Sequence, residues 1–275
     1  MRGAFAARGL EITVHSGHVE DADGRIFGLH NVSAACHNDP RGPTAWPEVV
    51  DAHVGRVLSD MAAPDPLDVL PLDELLDLVI VRLYEAEGVP HLDTFPNLDF
   101  APGVVQMLAL DQPETVHILS ADRVQRLGGW PLLYERGLVN LRREATGEPE
   151  QVDAGGGASF SMLADSSVYT ASRALLLPDL LAGQVLDGAG WLFSAPNRHQ
   201  LMWHVIRDAT VLRALRGMAL LTDAGFRDSV GPLSPHVYWW NGTEYRQLTS
   251  PGADGQITVQ VDHDFQQVLE RVTGE

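Results

Sequence analysis

The chain has 275 residues, 45% hydrophobic and 20% charged, ordinary proportions for a folded protein and far from those of a disordered one. Asp and Glu number 37 against 19 basic residues, a formal charge of −18, which repels phosphate backbones and anionic lipid surfaces, so neither nucleic acid nor a membrane is expected as a partner. Every basic residue is arginine, which excludes a Schiff-base lysine and a lysine-bearing phosphate loop, and the lone Cys36 excludes an internal disulfide or a thiolate-rich zinc site.

Taken in chain order, residues 10–15 and 25–29 alternate loosely around an Asp-Gly turn at 21–24 and predict a hairpin. Trp46, Val49, Val50, His53, Val54, Val57, Leu58 and Met61 recur at three and four, which predicts a helix from Pro47 to about Ala62. Residues 63–71, proline-rich and acidic, read as a linker or rigid turn. Residues 72–85 begin like a helix, but 79–83 are β-branched enough to leave the type open. Residues 104–110 and 115–119 read as a second hairpin across 111–114. A helix at 121–127 is capped by Ser120, and another spans 130–144.

Residues 147–157, with Pro149 and Gly155-Gly156-Gly157, read as the boundary between two parts. Beyond it the pattern predicts a strand at 159–163, a helix at 169–177, a strand at 190–194 and a long helix from Arg198 to about Leu221. Strands at 237–240, 243–248 and 257–261 and a closing helix at 265–272 follow. Asn241-Gly242 between aromatic runs predicts a two-residue hairpin turn. The expected fold class is α+β: an N-terminal α+β domain (1–148) and a C-terminal one (158–275), joined by a linker (149–157). Each is a small, mostly antiparallel sheet with flanking helices. With no run of about 18 apolar residues, and no apolar stretch behind the N-terminal arginines, a cytoplasmic protein is expected.

The chemistry-bearing residues form no catalytic motif. His15 and His18, three apart, would face opposite sides of one strand, and His199 and His204, five apart, different faces of a helix, so no metal site is expected. No Gly-x-Ser-x-Gly elbow occurs, and Gly155-Gly156-Gly157 precedes a strand instead of following one, unlike a phosphate cradle. No cofactor is expected. Ala195-Pro196-Asn197-Arg198-His199 stands out. With Asn197 as the cap of the long helix, Arg198 would oppose the helix dipole and so needs a carboxylate or an anionic ligand. Tyr169 and Arg173 belong to the same expected corner. Around the Asn241-Gly242 turn, Tyr238, Trp240 and Tyr245 fall on one face and Val237, Trp239 and Leu248 on the other. Two apolar faces with helices for only one predict that Trp239 or Trp240 meets another protein chain.

Phe27-Gly28-Leu29-His30-Asn31-Val32, Trp46-Pro47, Val139-Asn140-Leu141-Arg142-Arg143, Tyr169-Thr170-Ala171-Ser172-Arg173 and Ala195-Pro196-Asn197-Arg198 resemble, in this order, motifs of the YtpQ-like family of uncharacterised bacterial proteins. The chain departs from that pattern at His199, where the family carries an acid. The resemblance implies a cytosolic bacterial α+β protein and no assigned reaction. The functional expectation is a non-enzymatic acidic protein that recognises a protein partner or a second copy of itself. The alternative is an enzyme or sensor that binds a small anion at Tyr169, Arg173, Asn197 and Arg198.

Overall fold

A computed structural model describes residues 1–15, 18–23, 25–62, 64–112, 116–185, 189–251 and 256–274. The turn residues Gly24, Pro113 and Glu114 lie outside them. The fold is α+β. A three-stranded N-terminal sheet (Ile12–Val14, His18–Asp21, Ile26–Gly28) leads through helices His30–Asn38 and Trp46–Ala62 to Val79–Glu85, the strand around which the rest is arranged.

The ambiguous 72–85 segment splits at Leu78. Leu72–Leu78 is helical, with Asp73 and Glu74 in its first turn, and the β-branched Val79, Ile80 and Val81 continue as strand. Val79–Glu85 pairs with Val104–Asp111, which pairs in turn with Asn97–Ala101 and Val116–Ile118, all antiparallel. Alternation divides the strand between two cores. Val79 and Val81 pack with Leu75, Val124 and Leu133 of the covering helices, whereas Ile80 packs with Leu141, Tyr169 and Leu176. Helix Trp130–Arg143 sits close because Gly137 has no side chain; a Cβ there would lie 2.8 Å from the Val81 nitrogen.

The second half holds a six-stranded antiparallel sheet in the order Tyr245–Gln247, Val237–Trp240, Trp191–Ser194, Gln200–Val205, Ala158–Ala164, Glu150–Gly155. Helices Val211–Asp228 and His263–Thr273 cover one face, burying Phe160, Leu192, Met202, Trp239 and Phe265. Over the other face, Phe193, Leu201, Tyr238 and Tyr245 share one cluster with Leu83, Ala101 and Val104 of the first half.

Three expectations are corrected. Residues 149–157 are no linker: Glu150–Gly155 is an edge strand that turns into Ala158–Ala164 through Gly155, Gly156 and Gly157, all at positive φ. The long helix does not begin at Arg198. Gln200–Val205 is a strand between two others, with Leu201 buried on one face and Met202 on the other, and the helix starts at Val211. The hairpin at Asn241 has four loop residues instead of two. Asn241 Oδ1 accepts from the Thr243 and Glu244 amides, each at 2.9 Å, and Trp240 pairs with Tyr245. A slip of two residues preserves the parity of a strand, so the expected faces stand: Tyr238, Trp240 and Tyr245 lie in one cluster and Val237, Trp239 and Leu248 in the other.

Candidate anion-binding site

Since no helix starts there, Asn197 is not a helix cap. It lies in the tight connection between Trp191–Ser194 and Gln200–Val205, where its Oδ1 accepts from the His199 amide (3.0 Å) and its Nδ2 donates to the Gly225 carbonyl (3.2 Å). Asn197 is buried and spent on the backbone, and so is not available to a ligand. Arg198 follows it, held by its own amide on the Gly231 carbonyl (2.9 Å) and by its carbonyl, which accepts from the Ala171 amide (3.1 Å). Gly231 sits at φ +69°, and a Cβ there would stand 2.7 Å from Arg198 Cδ, so the glycine makes room for the arginine stem.

The Ala171 contact brings the expected Arg173 segment beside Arg198, but the two guanidinium groups serve different places. Residues Ala171–Leu176 form a 3-10 turn, and Arg173, 8% exposed, donates to the Glu144 carbonyl at 2.6 Å. It thereby satisfies the end of helix Trp130–Arg143, as a basic group at a helix C-terminus does. Tyr169 is buried, and its hydroxyl donates to Asp111 Oδ1. Burial, then that neighbouring carboxylate, pushes the Tyr169 phenol far above its ordinary range.

Arg198 shares its surroundings with Arg82, a residue the sequence reading did not single out. Its signal was visible, a lone charge inside the apolar run Val79-Ile80-Val81-Arg82-Leu83. Arg82 stacks on the rings of Tyr84 (5.0 Å) and Tyr169 (5.9 Å), and its Nε is buried without a hydrogen-bond partner. Arg198 Nε donates to His199 Nε2 at 2.9 Å, so His199 is neutral and carries its proton on Nδ1, which donates to the Ser167 carbonyl (3.0 Å). Burial, followed by the positive charge of Arg82, lowers the Arg198 pKa; burial, then Arg198, lowers that of His199.

Arg82 and Arg198 both line a cavity of ≈ 400 Å³, together with Tyr84, Gly28, Gly88 and Leu233. Glu85 lines it too, its Oε2 turned toward Gly88, where an added Cβ would lie at 3.1 Å. None of the ion pairs found among the described residues includes Arg82, Arg173 or Arg198. Two like charges are thus held together in a cleft that also holds Glu85, and neither belongs to an ion pair found among the described residues. Such a place can bind an anion.

The two tryptophans expected at a partner contact part company. Trp239 is 2% exposed, its indole N–H donates to the Ala189 carbonyl (2.9 Å), and its ring lies 5.1 Å from Phe265. It is core, because the helix His263–Thr273 covers its face and the first half of the chain covers the other. Trp240 is half-buried, stacked 5.4 Å from Trp191, and lines a second, larger cavity of ≈ 680 Å³ with Tyr134, Tyr245, Asp99 and Glu244. His15 and His18 do not face opposite ways either: their rings stack at 4.6 Å. Among the described residues no helix is long and apolar enough to cross a membrane. No family model, curated protein or solved structure matches the chain.

Proposed function

We propose that this chain is a cytoplasmic binding protein for a small anion of the phosphate or carboxylate kind, held between Arg82 and Arg198. The observation that carries the reading is the pair of adjacent guanidinium groups, in no ion pair found among the described residues, lining one cavity of a chain with a net charge of −18. A charge left desolvated and unmatched is costly unless something neutralises it. Among the described residues lining the cavity there is no Ser or Cys nucleophile; Tyr84 and Glu85 are the proton-bearing groups there, and the reading is confined to binding. The motifs resembling the YtpQ-like family support the same centre. Gly28 and Arg198 line the cavity, Ser172 Oγ accepts from the Leu83 amide (3.0 Å), and Asn140 Nδ2 donates to the Val79 carbonyl (2.7 Å).

Thermal unfolding in increasing phosphate, with chloride at matched ionic strength as control, tests the reading. A ligand that binds only the folded state raises Tm with concentration. The wild type is expected to gain Tm in phosphate beyond the chloride control, and Arg82→Gln and Arg198→Gln to lose that gain. Equal responses in all three proteins would overturn it.

A second reading, recognition of a protein partner, is favoured by the half-buried Trp240 in a cavity that also carries Asp99 and Glu244, a setting suited to a basic segment. Light scattering of Trp240→Ser checks it for self-association. An unchanged mass removes a homo-oligomer through this residue.

A further inference from the structure

The hairpin Ile12–Val14 with His18–Asp21 carries a second constellation that lies outside the arginine cleft. Its register pairs Val14 with Val19 and Thr13 with Glu20, and the next pair is His15 with His18, joined by the His15 amide on the His18 carbonyl at 2.9 Å. Residues directly opposite share a face, and alternate residues on a strand do too, so His15, His18 and Glu20 all project from one side of the hairpin. The other side is anchored by Val19, fully buried against Phe5 and Val54. That burial fixes which face the three polar side chains present to solvent. Across the neighbouring strand His18 is opposite Gly28, which has no side chain to cover it.

The side chains converge. The two imidazole rings stack at 4.6 Å and 14°, His15 Nε2 lies 3.4 Å from Glu20 Oε2, and one ligand atom from each of the three residues falls within 4.8 Å of the others. The His15 and Glu20 side chains are 40% and 42% exposed, so an ion can enter from solvent and the side chains can adjust around it. Two imidazoles and one carboxylate suit borderline divalent ions such as zinc and copper, and not calcium or magnesium, which take all-oxygen shells. The −18 charge of the chain also concentrates cations at its surface.

We propose that His15, His18 and Glu20 form a surface site for a zinc-type divalent cation, with a remaining coordination position open to water. An ordinary ion pair between a protonated His15 and Glu20 would use the same two side chains but would not take up metal. Affinity falls on acidification, because both imidazoles must be unprotonated to ligate.

The test is calorimetric titration of the untagged full chain with zinc in a non-chelating buffer at neutral pH, with histidine ring resonances followed by NMR. The expected result is one zinc per chain, with shifts confined to the His15 and His18 rings. His15→Ala and His18→Ala are each expected to weaken binding at least about tenfold, since even outer-shell partners of metal ligands are worth roughly 10–100-fold. Glu20→Gln, which preserves shape and removes the charge, is expected to weaken it as well. Absence of saturable binding by the wild type, or undiminished binding by both histidine variants, overturns the site.

Discussion

Arg8 and Arg198 carry the same guanidinium into opposite settings. Arg8 meets both oxygens of Asp51, at 2.6 and 2.9 Å, and reaches back to the Ala4 carbonyl at 3.0 Å. Arg25, Arg41, Arg123 and Arg246 are likewise matched to carboxylates around the outside of the molecule. Arg198 lies at the centre, against a second arginine, with a neutral histidine as its hydrogen-bond acceptor. A chain with nearly twice as many acids as bases has carboxylates to spare, so leaving Arg82 and Arg198 out of the ion pairs found among the described residues is a property of the fold around Val79–Glu85 and not of composition. Other exposed arginines, such as Arg56, Arg143, Arg207 and Arg213, belong to none of the ion pairs found among the described residues, and there water solvates the charge. The centre holds two that an external group can neutralise.

The largest effect expected from this contrast concerns what holds the centre together. Asn140, on helix Trp130–Arg143, donates to two backbone carbonyls, Leu76 at 2.9 Å and Val79 at 2.7 Å, where the chain passes from helix to strand. Asn140→Ala removes that donor from both carbonyls; the Leu76 carbonyl keeps Arg136 Nε at 3.4 Å, so the cost is about 1–3 kcal/mol, that of roughly one buried group losing its partner. Urea unfolding measures it. A loss below ~1 kcal/mol would show that the centre does not depend on this junction.

Replacing Arg198 is expected to act in the opposite direction. If its guanidinium awaits an anion, Arg198→Met removes a desolvated charge facing Arg82 while keeping a stem over Gly231, so Tm in anion-free buffer is expected to stay level or rise. A clear fall would mark the arginine as structural. The same variant moves His199. Burial and then Arg198 depress its pKa, so the folded state favours the neutral ring. The stability this contributes is fully present above the ordinary value, ~6.5, and is lost as the pH falls below it toward the depressed one. In Arg198→Met the His199 titration, followed by NMR, is expected to move up toward the ordinary value, and the loss of stability on acidification to shrink.

How much of this was legible follows from what each residue pattern can encode. Periodicity revealed the faces of 237–248 because alternation survives a slip of two residues, even though the turn was longer than Asn-Gly suggested. It failed at 200–205, because Leu201 and Val205 are four apart and continue smoothly into Leu212, Leu215 and Ala219. A strand with a core on each side, Leu201 facing one and Met202 the other, shows no alternation that would tell it from a buried helix. The site was half legible. Pro196-Asn197-Arg198 announced a constrained arginine, but Arg82 comes from a distant strand, and only the pairing of the two halves across a shared core sets it beside Arg198. The reversal expected near 21–24 does join His18–Asp21 to Ile26–Gly28, but Ile12–Val14 also pairs antiparallel with His18–Asp21, so His15 and His18, expected on one strand, become a cross-strand pair.

The smallest effect belongs to the rim. Arg8→Ala breaks a two-pronged contact with Asp51, yet the pair is open to water, and exposed ion pairs contribute little because solvent and salt already screen them. The hydrogen bond from Arg8 is the main reason the Asp51 carboxylate titrates below its ordinary range. The stability tied to that shift is therefore present above the ordinary carboxylate pKa and lost as the pH falls through the lowered one. The expected outcome is a Tm drop smaller than that of Asn140→Ala, seen near neutral pH at low salt, absent at high salt and absent in strong acid. The double variant Arg8→Ala with Asp51→Ala is expected to melt close to the single variant, since removing the partner of a bond already lost costs little more. A drop that persists undiminished in high salt would mean that Arg8 acts through packing over Gly55, where its Nη2 would stand 3.2 Å from an added Cβ, and the contrast between rim and centre would then rest on burial and not on pairing.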